Sequence, residues 1–388
     1  MKQFLHKILI SLTTLIGPIS LIGPITLLTL TSCIDEPEFP DTPQGNFEAL
    51  WKIIDEHYCF LDYKQHEYGL DWQQVHDKYL ARLDNDMSNE QLFEVFSNVL
   101  SQLRDGHVNL TAAHDMARYW QWYEKYQANY SDSLERIYLG NDYKIASGLK
   151  YKILDDNIGY IRYESFTQGI GSGNLTEVLN YFMLCQGLII DIRGNGGGDL
   201  TNAEKLASRF TNEKTLVGYI QHKTGPGHSD FSELEPRFLE PAASLRWQKP
   251  VCVLTNRRVF SAANEFAVYM QALPKVKIVG DYTGGGAGMP FSSSLPNGWI
   301  VRFSTVPLYD AKRQPAESGI CQMSMSPFLT KMSNAAKIPS SRLHACFYPN
   351  NQQGNHFFSC FRLVDSKKSI TFAPANDKRA CLRLWRNW

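Results

Sequence analysis

A chain of 388 residues with 43% apolar and 20% charged side chains is long enough for two or so folding units and too apolar for a disordered or fibrous protein. Its 39 basic and 39 acidic residues balance, which removes any whole-chain case for a nucleic-acid binder. The balance conceals an uneven tail: residues 321–388 hold ten basic and two acidic residues, net +8, and four of the eight cysteines.

In chain order, Lys2 and Lys7 precede an apolar stretch over residues 8–30 that ends in Leu30-Thr31-Ser32-Cys33. A basic start, an apolar run and a small residue before a cysteine resemble a bacterial lipoprotein signal over 1–32, with Cys33 acylated. The competing reading is an uncleaved membrane anchor, but Gly17-Pro18 and Gly23-Pro24 interrupt the run, within a tandem repeat of Leu-Ile-Gly-Pro-Ile. Residues 33–45, acidic and proline-rich, read as a tether. Acidic residues just after the cysteine resemble the outward-sorting signal of Bacteroides-type lipoproteins. The expected location is therefore the cell envelope, as a lipid-anchored outer-membrane lipoprotein on the surface side.

Residues 46–110 read as a small helical domain. Leu50, Ile53, Ile54, His57 and Tyr58 recur at helical spacing, as do Leu92, Phe93, Val95, Phe96, Val99, Leu100 and Leu103. Ser88 with Gln91 three positions on predicts a capping box. A Tyr- and Trp-rich connector comes next over 111–150, and its aromatics are expected to pack rather than to cage a ligand. From 151 to 320 the pattern is α/β. Strands are predicted at 158–163, 187–192 and 251–255, the last two as apolar runs buried on both faces, and helices at 200–210 and 262–273. Such alternation predicts mostly parallel order.

Four places could carry chemistry. Asp191-Ile192-Arg193-Gly194-Asn195-Gly196-Gly197-Gly198 follows a buried strand, and its glycines let backbone N–H groups converge on an anion. No GxGxxG or GxxxxGK[ST] is present, so a nucleotide is not indicated. Ser261 stands at the first turn of a helix, where it is either an N-cap or a nucleophile whose developing charge the helix end and the Ala262 N–H would stabilise. His107, in Asp105-Gly106-His107, follows a helix end. Glu317 lies beside a small-residue turn. Without HExxH or paired Cys/His sets, no metal and no other cofactor is expected.

Together, Asp-Gly-His, the strand entering Asp-x-Arg-x-Asn-Gly-Gly-Gly, Ser261-Ala262-Ala263, and Val279-Gly280-Asp281-Tyr282-Thr283-Gly284-Gly285-Gly286 resemble the tail-specific (carboxyl-terminal processing) serine proteases, within them the tricorn core protease branch. The resemblance covers roughly 46–320 and implies a crotonase/ClpP-like ββα core behind an N-terminal helical domain. Many relatives insert a PDZ domain, for which residues 110–151 are too few, so no PDZ domain is expected. A lysine activates the serine in the tail-specific enzymes, but Gly286 stands at that position. The tricorn branch uses a histidine and a downstream glutamate, positions matched by His107 and Glu317. Where tricorn has a serine before its histidine, this chain has Gly106. The resemblance thus implies a serine endopeptidase with Ser261 as nucleophile, His107 as base, Glu317 as its support, and N–H groups of Gly196, Gly197 and Ala262 around the oxyanion. Asp191, Arg193 and Asn195 read as loop-shaping, with Arg193 also a candidate for a substrate carboxylate. The implied partner is a peptide or unfolded protein, alongside the lipid anchor and with no nucleic acid.

Two other readings stay open: a non-catalytic binder on the same core, as in the retinoid-binding proteins, and an inactive remnant. The second arises from the tail. After Gly319-Ile320 the resemblance leads one to expect Pro-Asp, a strand and a polar helix, whereas Cys321-Gln322 stands there. Methionine has one codon, so Met323-Ser324, Met325-Ser326 and Met332-Ser333 can each yield valine in a shifted frame. With permitted codons, residues 321–345 can be re-read as PDVNVTVSDEDVKRGKDTIIETAR, which restores the expected pattern and accounts for the +8 charge and crowded cysteines. Residues 321–388 are accordingly expected to be out of frame and poorly packed, at the expense of the Glu317 segment.

Overall fold

The structure, a computed structural model, describes residues 39–124 and 129–320. The leader, Cys33 and the 321–388 tail lie outside the described residues.

Four helices open the described chain: α1 (Pro43–His57), α2 (Leu61–Tyr68), α3 (Trp72–Leu80) and α4 (Asn89–Ser101). Their starts are chemically marked. Thr42 caps α1 through the Gly45 N–H with Pro43 at the first turn, Asp71 caps α3, and Ser88 with Gln91 forms the predicted box on α4. The connector holds β1 (Asn109–Thr111), β2 (Met116–Arg118), α5 (Gln121–Glu124), α6 (Asp132–Leu139) and β3 (Lys144–Ala146). Then come β4 (Leu149–Leu154), β5 (Ile158–Tyr163), α7 (Ser172–Tyr181), β6 (Gly187–Asp191) and α8 (Leu200–Ala207). They are followed by β7 (Thr215–Ile220), β8 (Glu235–Leu239), β9 (Val251–Thr255), α9 (Ala262–Gln271), β10 (Val276–Gly280), β11 (Gly288–Ser294) and β12 (Ile300–Asp310).

The strands form two six-stranded sheets. In one, ordered β10-β9-β6-β5-β4-β3, the strands from β10 to β5 are parallel, and β4 and β3 extend the sheet antiparallel. Every residue of β5, β6 and β9 is buried, because these Val- and Ile-rich strands have helices or chain over both faces. The other sheet, β2-β1-β12-β7-β8 with β11 on the opposite edge of β12, is antiparallel throughout. Sequence periodicity did not foresee it, since β1 and β2 are three residues each and β12 has no clean alternation.

The helical segment is not a free-standing domain. Phe93 and Phe96 pack edge-on against Trp299, and the same buried cluster takes in Leu295, Val301 and Phe303 of the β11–β12 hairpin. Among the described residues the helices share one buried cluster with the β11–β12 hairpin, so the boundary expected near residue 110 runs through a shared core. Burying one such aromatic contributes about 2–3 kcal/mol, enough to fix the helices on the hairpin. Among the described residues no helix is long and apolar enough to cross a membrane.

Candidate active site

The chain delivers the four sequence-marked segments to the carboxyl ends of the parallel strands, the usual place for a site in an α/β sheet. The glycine turn leaves β6 for α8, Ser261 leaves β9 for α9, Asp105-Gly106-His107 arrives from α4, and Glu317 follows β12.

Ser261 and His107 meet: His107 Nε2 lies 2.9 Å from Ser261 Oγ across 154 residues of sequence. Ser261 stands at the N-cap position of α9 but does not cap it. Its side chain makes no capping bond, and its backbone stands at φ 55°, ψ −125°, a conformation rare for a residue with a Cβ. The bond from Ser261 N to Gly285 O, 2.9 Å, holds that turn. Strain of this kind costs on the order of 1–3 kcal/mol and persists where the surroundings over-determine it.

His107 is 3% exposed and clamped from several sides. Its backbone N–H donates to Asp105 Oδ1 at 2.7 Å, and Asp105 Oδ2 accepts from Tyr58 Oη at 2.8 Å. Asn109 Nδ2 donates to His107 O, and the Phe260 ring lies 4.7 Å from the imidazole, centroid to centroid. Trp122 stacks on Phe260 at 4.4 Å. This aromatic layer explains two glycines. A Cβ on Gly286 would sit 2.4 Å from the Phe260 ring, so the ring fills the space a lysine at 286 would need. A Cβ on Gly106 would sit 2.6 Å from Trp122 Nε1, so the indole excludes a serine there. Burial pushes the His107 pKa down to about 4, with Asp105 opposing the shift and Arg302, Arg118 and Lys64 adding to it. At neutral pH the imidazole is therefore neutral and able to accept a proton.

Three expectations need correction. Glu317 does not touch His107: Lys64 Nζ donates to its Oε1 at 3.0 Å and the Ala287 N–H to its Oε2 at 3.1 Å. His107 Nδ1 has no hydrogen-bond partner among the described residues. Burial raises the Glu317 pKa while Lys64 opposes it, and burial would lower the Lys64 pKa had the neighbouring carboxylates not carried it upward. We read the pair as ionised, because both contacts to Glu317 favour the carboxylate. Second, the Gly197 N–H is taken by Asn195 Oδ1 at 3.0 Å. Gly197 instead supplies close approach, its Cα facing Ser261 Cβ and Ala262 N. The Gly196 and Ala262 N–H groups have no acceptor among the described residues and remain available. Third, Arg193 is bound to Asp191 through Nε and Nη2 and to Asn129 O through Nη1, which leaves it structural. Asp191 and Asn195 shape the loop as expected, Asp191 also accepting from Tyr160 Oη and Asn195 Nδ2 donating to Tyr163 O.

Sequence reasoning missed Lys64, Tyr58, Trp122 and Arg257. Arg257 donates to Trp122 O, Thr283 O and Ser318 O, tying the connector and the Glu317 segment to the turn before Ser261. Among the described residues no group of three or more His, Cys, Asp or Glu is placed to hold a metal ion.

Residues 157–321 match Peptidase family S41, and residues 39–101 match the Tricorn protease C1 domain. A candidate peptidase from Parabacteroides merdae is 46% identical, with a TM-score of 0.70, over 75% of this chain and 93% of that one. This chain belongs to peptidase family S41. Mature CPAF shares the fold at a TM-score of 0.57 and 11% identity, over 72% of this chain and 92% of its own. The carboxy-terminal processing protease CtpA of Bacillus subtilis is 27% identical over 152 residues, which is 39% of this chain and 30% of CtpA. The chain thus matches under a third of the length of that curated relative. Ser261 lies within the range that matches the S41 family, and His107 comes from the stretch just after the tricorn C1 match.

Proposed function

We propose that this S41 protein is a serine endopeptidase of the cell envelope in which Ser261 attacks and His107 transfers the proton. The observation that carries the reading is the 2.9 Å contact between His107 Nε2 and a Ser261 held at positive φ. Serine alone is a poor nucleophile, and a neutral imidazole at hydrogen-bond distance makes it a competent one. Ser261 Oγ would form the bond to the scissile carbonyl carbon as its proton passes to His107 Nε2. The tetrahedral oxyanion would accept from the free Gly196 and Ala262 N–H groups, each donor worth about 3 kcal/mol in other serine enzymes. His107 would then give the proton to the leaving amine, and water activated by the same imidazole would hydrolyse the acyl-enzyme. This pairing favours catalysis over a pure binding role on the same core.

Ser261→Ala is expected to lower kcat/KM on an unstructured protein substrate by at least a thousandfold, measured by fluorescence release, with the melting temperature kept. Equal cleavage by that variant rejects the assignment. The envelope location rests on the leader and Cys33, and Cys33→Ser is expected to move the protein from the membrane to the soluble fraction. Retention at the membrane would identify an anchor instead.

A further inference from the structure

Two guanidiniums stand beside the base without a partner acid. In register across three strands, Arg118 of β2 pairs with Asn109 of β1, and Asn109 pairs with Arg302 of β12. Residues paired across strands project to the same face, so Arg118 and Arg302 flank Asn109, two strand spacings or roughly 10 Å apart at the backbone. Asn109 is 7% exposed, forming the floor between them, while Arg302 is exposed. Among the described residues neither arginine belongs to an ion pair.

Arg118 is well anchored: its Nε donates to Gly106 O at 2.6 Å, and its guanidinium lies 4.5 Å over Trp120 and 5.8 Å from the Phe260 ring. That places it one residue from His107. Asp105, the carboxylate whose field acts on Arg118, already accepts from Tyr58 Oη and the His107 N–H. The two arginines are close enough to repel, since Arg302 helps to lower the Arg118 pKa after burial. Two cations without an ion-pair partner, Arg118 anchored and Arg302 on the same sheet face across a polar floor, form a site that an added carboxylate would complete.

We propose that Arg118 and Arg302 form a subsite for a substrate carboxylate on the leaving side of the cleaved bond. The inference rests on the peptidase reading, because it is the transfer of the His107 proton to the leaving amine that sends that part of the substrate past the histidine. A carboxylate bound there also offsets two charges that oppose protonation of His107, so it assists the chemical step as well as binding. Its source is either an acidic side chain or a free C-terminus.

The test uses one cleavable peptide with Asp or Asn scanned through the three leaving-side positions, each as free acid and as amide. Wild type is expected to favour Asp over Asn at one position by about tenfold in kcat/KM, less at high salt, as for a charge-assisted contact. Arg302→Gln should collapse that ratio and Arg302→Lys should keep part of it. A preference for free acid over amide without side-chain preference assigns the site to the terminal carboxylate. Equal cleavage of all four forms, or a ratio unchanged in both Arg302→Gln and Arg118→Gln, overturns the proposal. Binding of the same peptides to Ser261→Ala, monitored by fluorescence anisotropy, separates this from the peptidase reading. Tighter binding of acidic peptides that Arg302→Gln abolishes upholds the subsite even if no cleavage occurs, and indifference to charge there rejects it.

Discussion

Burial keeps the His107 imidazole neutral, and the carboxylate nearest to it in sequence is the one that counteracts this. Asp105 receives the His107 backbone N–H and raises the imidazole pKa against burial, whereas both oxygens of Glu317 are occupied elsewhere. With the His107 pKa down at about 4, the acid limb of kcat/KM is expected well below the ordinary 6.5 of histidine. Asp105→Asn keeps an acceptor for the His107 N–H but removes the charge that stabilises imidazolium. It is expected to cut kcat/KM about tenfold and to move the acid limb lower still, read from a pH–rate profile. An unchanged profile would reduce Asp105 to a structural anchor. Stability depends on the same group. Unfolded histidine takes a proton near 6.5 and the folded one near 4, so the contribution of His107 is complete above 6.5 and is lost as pH falls through that window. His107 and Ser261 were legible in the sequence because their flanking motifs are local. The role of Asp105 was not, since it depends on Tyr58, which comes from 47 residues away.

Among the elements, α2 carries the least expected part of the site. Its sequence, Leu-Asp-Tyr-Lys-Gln-His-Glu-Tyr, has the polar look of a solvated helix, yet Lys64 is 5% exposed and bonded to Glu317 from the far end of the chain. A buried pair adds little over apolar residues of equal size, but breaking it strands a charge. Lys64→Met is therefore expected to destabilise the protein by about 3–5 kcal/mol in urea unfolding, and Lys64→Met with Glu317→Gln to recover most of that loss. Additive losses in the double variant would show that the two side chains act separately. The same logic of distant partners governs the connector. Its aromatics were expected to pack, and Trp122 does so on Phe260, but which glycines it would oblige at 106 and 284 lies in the tertiary contact alone. The parallel strands and the α4 cap were readable, because burial on two faces and a capping box leave local signatures; the short strands β1 and β2 leave none.

Across the whole molecule, residues 315–320 follow β12, run past the glycine turn at 284–286 and are tied at several points. Thr283 N donates to Ile320 O and Ile320 N to Thr283 Oγ1, at 3.2 and 2.7 Å. Gly286 N donates to Glu317 O, Arg257 to Ser318 O, and Asn264 Nδ2 to Ala316 O. These bonds come from within residues 257–320, and α2 adds Lys64 on Glu317 and Tyr63 on Ser318. The family match stops at residue 321, the position where the basic, cysteine-rich composition begins. A reading frame that changed at this point would account for both, because residues past it would not have been selected with the core. Sequencing the gene across codon 320 is expected to find the shifted frame open through codon 345 and encoding Pro-Asp directly after Gly319-Ile320, and then an alternating strand and an acidic helix start. Joining that frame to the body should raise the thermal midpoint, since the added strand would bury apolar surface that the core was selected to cover. Stop codons in the shifted frame before codon 345, or a midpoint unchanged by the joined frame, would reject the account and leave the composition of the tail to be explained by its own chemistry.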